Sequence, residues 1–144
     1  MAAYTTRAKV EGRVPPAFLV EALDDDADGS EDAGVFDQLV ADASDEIDAY
    51  LEGRYALPLG STPKLVSTAA LFIVCEALYE RRGYTADTDP KNPWSQRAAN
   101  VRDKLAAVSK GEMPLELDID KGGSQVTAVT EAAKTTPSSG KNLA

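Results

Sequence analysis

The spacing of apolar residues between Val35 and Leu51 is that of an amphipathic helix. Apolar side chains recur there at steps of three and four residues, and acidic residues fill the other side of each turn. The apolar positions are Phe36, Leu39, Val40, Ala43, Ile47, Tyr50 and Leu51, and the acidic ones are Asp37, Asp42, Asp45, Glu46 and Asp48. Gly53 is predicted to end this helix, because glycine adopts the left-handed conformation without steric cost.

Two further long helices are each predicted to start at a polar residue followed by proline. These starts are Thr62-Pro63 and Asn92-Pro93, where a capping side chain precedes a proline in the first turn. The first helix is apolar around nearly its whole circumference as far as Tyr79, which predicts a central place in a bundle. The second is predicted to end at Gly111 and has one narrow apolar seam. The seam consists of Trp94, Ala98, Val101, Leu105 and Val108.

The shorter elements are predicted from proline, glycine and charge. Pro15-Pro16 introduces a short apolar helix that runs to Leu23, and the acidic, glycine-containing residues 24–34 are predicted to form a loop. Residues 54–59 are expected to be extended, because a proline at position 58 disfavours the helical conformation of the residue before it. Residues 84–92 are expected to form a polar connection.

The C-terminal part of the chain has a different pattern. Leu115, Leu117 and Ile119 alternate with acidic residues, which predicts a strand with one buried face that needs a partner. Residues 121–144 are rich in Gly, Ser, Thr, Ala and Lys and poor in large apolar side chains. We therefore expect a helical domain over residues 1–120, followed by an arm that is flexible or ordered by a partner.

Together these elements predict a mainly α fold. We expect a small helical bundle of about four helices with a short C-terminal β-strand and an extended C-terminal arm. Nine apolar residues are predicted to share one buried core because they recur at helical spacing. They are Val40, Ile47, Leu51, Val66, Ala70, Ile73, Leu78, Val101 and Leu105.

Composition narrows the classes of function. The chain has a net charge of -9 and no histidine, which disfavours imidazole chemistry and the commonest zinc ligands. Net acidity also disfavours wrapping of nucleic acid, which requires clustered Lys and Arg. We find no Gly-rich phosphate loop, nucleophile elbow or Cys-x-x-Cys pair, so we expect neither an enzyme nor a bound cofactor. The single cysteine, Cys75, is expected to be a buried and unreactive thiol.

The chain shows no sign of a membrane segment or a leader. The apolar run at residues 71–74 is interrupted by Glu76 and Glu80, well short of the ~20 apolar residues that a membrane crossing requires. The first residues lack the basic patch and apolar run of a secretory signal. We therefore expect no membrane partner and no cleaved signal.

The acidic loop, residues 24–32, resembles part of an EF-hand calcium loop. Asp24, Asp26, Asp28, Gly29, Ser30 and Asp32 occupy positions one, three, five, six, seven and nine of that pattern. Position twelve is Val35, where a bidentate glutamate is expected, so any site formed by Asp24, Asp26, Asp28, Ser30 and Asp32 would be weak. The alternative is a solvated connector whose charges favour solubility.

Residues 54–59 are an unusually apolar connection between two strong helices. Tyr55, Leu57 and Leu59 are expected to pack under the bundle, although an intersubunit contact is the alternative. Arg54 can bind the last carbonyls of a helix or a carboxylate on a neighbouring chain. The candidate interface residues are Arg54, Tyr55, Leu57, Leu115, Leu117 and Ile119.

Residues 42–59, with the sequence DASDEIDAYLEGRYALPL, resemble the signature block of Mu-type phage head-tail adaptor proteins. Tyr4-Thr5-Thr6, Pro63 and the segment from Leu105 to Gly111 support the resemblance, which covers residues 4 to 117. The acidic loop and the long tail depart from the family pattern.

The resemblance implies a structural virion protein without catalytic residues. Such helical subunits form a homo-oligomeric ring, commonly of twelve copies, between the portal protein and a downstream neck or tail protein. It further implies synthesis in the bacterial cytoplasm, a place in the neck of the virion, and DNA that crosses the lumen without specific binding. A net charge of -9 repeated around a channel would repel phosphate.

Two other classes of function stay open at this point. One is a calcium-responsive helical module built on the acidic loop, and the other is an acidic inhibitor that mimics DNA.

Overall fold

The computed structural model describes residues 3–57, 59 and 61–115, and these ranges contain five α-helices. In chain order the helices are α1 (Arg7–Glu11), α2 (Pro16–Leu23), α3 (Val35–Leu51), α4 (Lys64–Arg81) and α5 (Ser95–Ser109). The fold is mainly α, as the sequence predicts. Residues 116–119 of the predicted strand and the whole arm over 121–144 lie outside the described residues, so both stay predictions, as does the domain boundary.

Helix α4 occupies the centre of the bundle. It packs against α1, α2, α3 and α5, and α3 and α5 also pack against each other. Eight of its side chains are buried: Val66, Ala69, Ala70, Leu71, Ile73, Val74, Cys75 and Leu78. A helix that is apolar around nearly its whole circumference must find neighbours on every side, and this confirms its predicted central position.

The predicted core is confirmed. All nine residues expected to be buried belong to one hydrophobic cluster, and none of them is more than 7% exposed. The predicted seam of α5 is also buried, from Trp94 to Val108. Leu19, Ala22 and Leu23 of α2 add a further side to this core, and Phe18 stacks on Tyr79 with 4.1 Å between ring centroids.

Helix α1 is an element that the sequence pattern did not predict. Its five residues are too few to display a helical period, and it depends on a local cap and on one buried side chain. The amide of Lys9 donates to Oγ1 of Thr6 at 3.3 Å, and Val10 is fully buried against the bundle. The N-terminal segment is thus part of the fold.

Two helices start one or two residues later than the sequence predicts. Helix α4 begins at Lys64, where Pro63 is the capping residue and Thr62 supplies no capping hydrogen bond. Helix α5 begins at Ser95, and Asn92 is buried in the turn before it, where its side-chain oxygen accepts from the amide of Trp94 at 2.9 Å. Its side-chain amide donates to the carbonyls of Glu76 at 3.1 Å and Tyr84 at 3.2 Å. A buried polar side chain forms such bonds because leaving them unmade is costly.

The predicted glycine stops had different outcomes. Gly111 has φ +82° and ends α5 in a Schellman motif, in which its amide bonds to Val108 and the next amide to Ala107. Helix α3 ends just before Gly53, as predicted, but the predicted left-handed conformation was wrong, because the φ of Gly53 is not positive. Glu52 continues the right-handed conformation, and two later amides close the turn onto the carbonyl of Leu51.

None of the helices in the described part of the chain combines the length and the apolar character required to cross a bilayer.

Candidate functional site

The acidic loop brings its carboxylates together. One side-chain oxygen from each of Asp24, Asp26, Asp28 and Asp32 lies within 4.8 Å of the others. Gly29 has φ +91° and sits at the bend, in the conformation that EF-hand position six requires of glycine. The spacing read from the sequence thus corresponds to convergence in space.

Backbone amides satisfy much of this negative charge. Asp24 accepts from the amides of Gly29 at 2.8 Å and Asp28 at 3.1 Å, and Asp32 accepts from the amide of Asp25 at 2.6 Å. The hydroxyl of Ser30 donates to Asp28 at 3.1 Å. The loop is therefore a set of short turns whose carboxylates serve as acceptors for its own backbone.

The two neighbouring carboxyls of the loop differ in acidity. The pKa of Asp26 is raised, first by its hydrogen bond with the Asp24 carboxyl and then by desolvation. Desolvation also acts to raise the pKa of Asp24, but the hydrogen bonds from Gly29, Asp26 and Asp28 outweigh it, so that pKa is lowered. Asp26 is accordingly the member of the pair that takes up a proton first as pH falls.

Val35, at the twelfth position, is the first residue of α3 and has no side-chain oxygen to offer. A hard cation such as calcium prefers six to eight oxygen ligands, commonly including a bidentate glutamate. The loop supplies carboxylate oxygens of suitable chemistry but lacks that closing ligand.

Two arginines fasten the acidic loop to the bundle. Arg81, at the end of α4, pairs with Asp25, and its Nε donates to the carbonyl of Ala22 at 2.6 Å. Arg7 in α1 forms a two-pronged pair with Glu31, at 2.8 Å and 2.5 Å. The hydrogen bond from Arg7 is the main reason why the pKa of Glu31 is lowered. The loop is thus held at both ends, and neither arginine was singled out from the sequence.

The residues after α3 form a corner with the end of α5. The side chains of Tyr55, Leu57 and Leu59 are half-buried and pack against the core, as expected. The amide of Leu115 donates to the hydroxyl of Tyr55 at 3.3 Å, and Leu115 itself is 5% exposed. Leu117 and Ile119, the other candidates on this segment, lie outside the described residues.

Arg54 lies at the C-terminus of α5 and is exposed. Its Nη1 is 3.1 Å from the position that a Cβ on Gly111 would occupy. A cation is favoured there by the partial negative charge at a helix C-terminus. The guanidinium of Arg54 therefore lies beside the C-terminus of α5. From the sequence alone, only its position after the end of α3 was evident.

Arg102 joins the three long helices and was missed at the sequence level. Its Nε donates to Glu46 of α3 at 2.7 Å, and its Nη1 donates to Glu76 of α4 at 2.9 Å. Hydrogen bonding to Glu46, followed by that to Glu76, raises the pKa of Arg102 against an opposing effect of desolvation. Glu46, which the sequence placed on the acidic outer face of α3, thus contacts another helix. Asp48 of the same face is also engaged, because it accepts from the hydroxyl of Tyr4 at 2.5 Å.

A second feature missed at the sequence level is a cleft between α4 and α5, which we call the basic groove. It has a volume of about 430 Å³ and is lined by Lys64, Leu65, Thr68, Phe72, Arg97, Asn100, Val101, Lys104 and Met113. Arg97 and Lys104 are two helical turns apart with Val101 between them, a spacing that marks one face of α5. That spacing is visible in the sequence once basic residues are followed along a helix face.

Comparison with protein families gave an informative match. The family model described as "Bacteriophage Mu, Gp36" matches residues 4–135 of this chain. A comparison with curated proteins gave no match. The matched range includes every described helix as well as the segment 42–59.

Proposed function

We propose a function from one premise: this chain belongs to the bacteriophage Mu Gp36 family. It is accordingly a protein of Mu-type phages, and membership favours a structural or morphogenetic role. The match over residues 4–135 is the observation that carries the proposal, because it spans the whole described fold.

Within that role we assign the protein to the head-tail neck, as an adaptor. Its copies form a closed ring, of twelve subunits in our proposal, that sits on the portal and receives the next neck or tail protein. Identical subunits joined head to tail close into a ring when the rotation permits, and a portal would act as the template for that rotation. The segment 42–59 supports this assignment because it resembles the signature block of Mu-type head-tail adaptor proteins. Arg54, at the corner after α3, is exposed and can therefore contact a neighbouring subunit.

The charge of the chain suits a channel for DNA. The net charge is -9, and Asp37, Asp42 and Asp45 are exposed along α3. Repeated around a lumen, such charge would repel phosphate and favour passage without specific binding. In this proposal the protein is not an enzyme, and its place is in the neck of the virion.

Deletion of the gene tests the adaptor assignment. Electron microscopy of the resulting particles should show DNA-filled or leaking heads beside separate, complete tails. Expression of the intact protein in trans should restore joined particles, which controls for effects on neighbouring genes. Joined, infectious particles without the protein would refute the adaptor role and favour an acidic inhibitor that competes with DNA for a protein target.

Proteomics of purified virions gives an independent test. An adaptor must be present in every mature particle in a fixed ratio to the portal protein. An inhibitor or a calcium-responsive module acting in the host cell has no reason to follow that ratio.

The acidic loop supports a second candidate, a weak calcium-binding module, because four of its carboxylates converge within 4.8 Å. A rise in the thermal unfolding temperature with calcium but not magnesium would favour it. The matched control is Asp32→Asn, which removes one converging carboxylate charge. An equal response of both proteins would show that the loop is not the site.

A further inference from the structure

The basic groove is an exception in an acidic protein. Lys64, Arg97 and Lys104 line it, and none of its lining residues among the described part of the chain is acidic. None of these three cations forms a salt bridge with a described residue. Arg97 instead lies over the ring of Trp94, with 5.0 Å to its centroid. The groove thus has positive charge that is available to a partner.

The floor of the groove is apolar and incompletely covered. Leu65, Phe72 and Met113 are half-buried, and Val101 is 5% exposed between them. An apolar floor flanked by cations is complementary to an extended segment that alternates apolar and acidic side chains. The apolar side chains of such a segment would contact the floor, and the long side chains of Lys and Arg can fold over it to reach the carboxylates.

We propose that the basic groove binds residues 116–120 of a second copy of this chain. That segment reads Glu-Leu-Asp-Ile-Asp, so it offers three carboxylates and two large apolar side chains. An extended stretch of five residues is about 16 Å long. The helical rise from Arg97 to Lys104 is about 10 Å, so the segment is long enough to pass both cations.

The direction of the chain after Met113 favours binding of the segment in the groove of a second copy rather than in the groove of its own chain. Met113 lines the groove, but two residues later Leu115 is buried and bonded to the hydroxyl of Tyr55. The chain has therefore left the groove before residue 116. To return to its own groove, the segment would have to reverse direction immediately after Leu115, whereas the groove of a second copy requires no such reversal.

This contact rests on the proposed ring, and it specifies which segment of one subunit binds to the adjacent subunit. Edge addition of the segment to a sheet would need an exposed strand, and the described ranges contain none. The groove offers the segment an apolar surface and opposite charge instead.

Disulfide trapping between two full-length variants tests the proposal without the portal. One variant carries Asn100→Cys in the groove and the other Leu117→Cys in the segment, and the two are mixed at millimolar concentration under oxidising conditions. The native Cys75 is buried and should not form a disulfide with either introduced cysteine. We expect a mixed covalent dimer, because oxidation captures even a weak contact when the two sulfurs approach. Ala49→Cys, exposed on α3 outside the groove, replaces Asn100→Cys as the control and should give little dimer.

Charge reversal tests the recognition itself. Arg97→Glu with Lys104→Glu in the groove variant should lower the dimer yield about five-fold or more, since attraction becomes repulsion. Arg13→Glu with Lys91→Glu changes the net charge equally at exposed sites outside the groove and should leave the yield unchanged.

Each other outcome overturns the proposal. No mixed dimer, or equal dimer with Ala49→Cys, would exclude the segment as the occupant. If a dilute chain carrying both Asn100→Cys and Leu117→Cys closes on itself as a monomer, the occupant is its own segment. Loss of the virion neck on gene deletion tests the adaptor role separately, so the two failures are distinguishable.

Discussion

Replacement of Arg102 by leucine should reveal how much the interhelix ion network contributes to stability. Leucine keeps the apolar stem of the side chain but leaves Glu46 and Glu76 without their shared cation. The side chain of Glu76 is 12% exposed, whereas that of Glu46 is 36% exposed. The two carboxylates should therefore contribute unequally.

The expected magnitude follows from these exposures. An exposed ion pair contributes about 0.2–1 kcal/mol, and this range applies to the Glu46 side of the network. A buried acceptor left without its donor costs about 1–3 kcal/mol, which applies to Glu76. We expect Arg102→Leu to lower the free energy of unfolding by about 2 kcal/mol, with the larger share through Glu76.

Urea unfolding measures this change if the m-value is unaltered. A double-mutant cycle with Glu76→Gln should give a larger coupling energy than one with Glu46→Gln. High salt should weaken the Glu46 coupling more, because exposed charges are screened more strongly. Arg13→Leu is the control, since Arg13 is exposed and forms no salt bridge with a described residue. If Arg102→Leu costs no more than Arg13→Leu, the network does not stabilise the bundle.

Three further predictions concern the core and the N-terminal segment. Ile73→Ala should destabilise the fold by about 2–5 kcal/mol in chemical denaturation, and an unchanged midpoint would contradict its place in the core. Burial raises the pKa of the Cys75 thiol from 9.0 to about 12, so the thiol should react with iodoacetamide at pH 8 only after denaturation. Between pH 9 and 12 the Cys75 thiol stays protonated in the folded chain but is ionised in the unfolded chain, so the free energy of unfolding should fall as pH rises. This fall should be smaller in Cys75→Ala. Tyr4→Phe should cost about 1 kcal/mol in thermal unfolding by removing the bond to Asp48, and the loss should disappear in an Asp48→Ala background, which has no acceptor for the hydroxyl.

Local patterns were sufficient for the long helices and for the core. The period of Val40, Ile47 and Leu51 along α3 marks its buried face, because the same side of a helix recurs every three to four residues. The apolar circumference of α4 likewise predicts a helix surrounded by others. Helix α1 was not predicted because five residues do not establish a helical period. The left-handed conformation predicted for Gly53 was wrong because a glycine permits that conformation without requiring it.

The acidic loop could also be predicted in part, since its ligand spacing lies within one short segment. Its convergence follows from local turns that Asp and Gly favour. Its attachment through Arg81 could not be predicted, because Arg81 and Asp25 are 56 residues apart.

The tertiary structure decided which charges meet. Arg102 and Glu46 are also 56 residues apart, and the bond between them depends on how α3 and α5 are rotated about their own axes. The basic groove likewise exists because α4 and α5 pack side by side and bring Lys64, Arg97 and Lys104 to the lining of one cleft. Helical periodicity fixes which face each helix buries, but the packing of side chains between helices sets their crossing and register, and only that register determines which polar residues at the edges of the buried faces become neighbours.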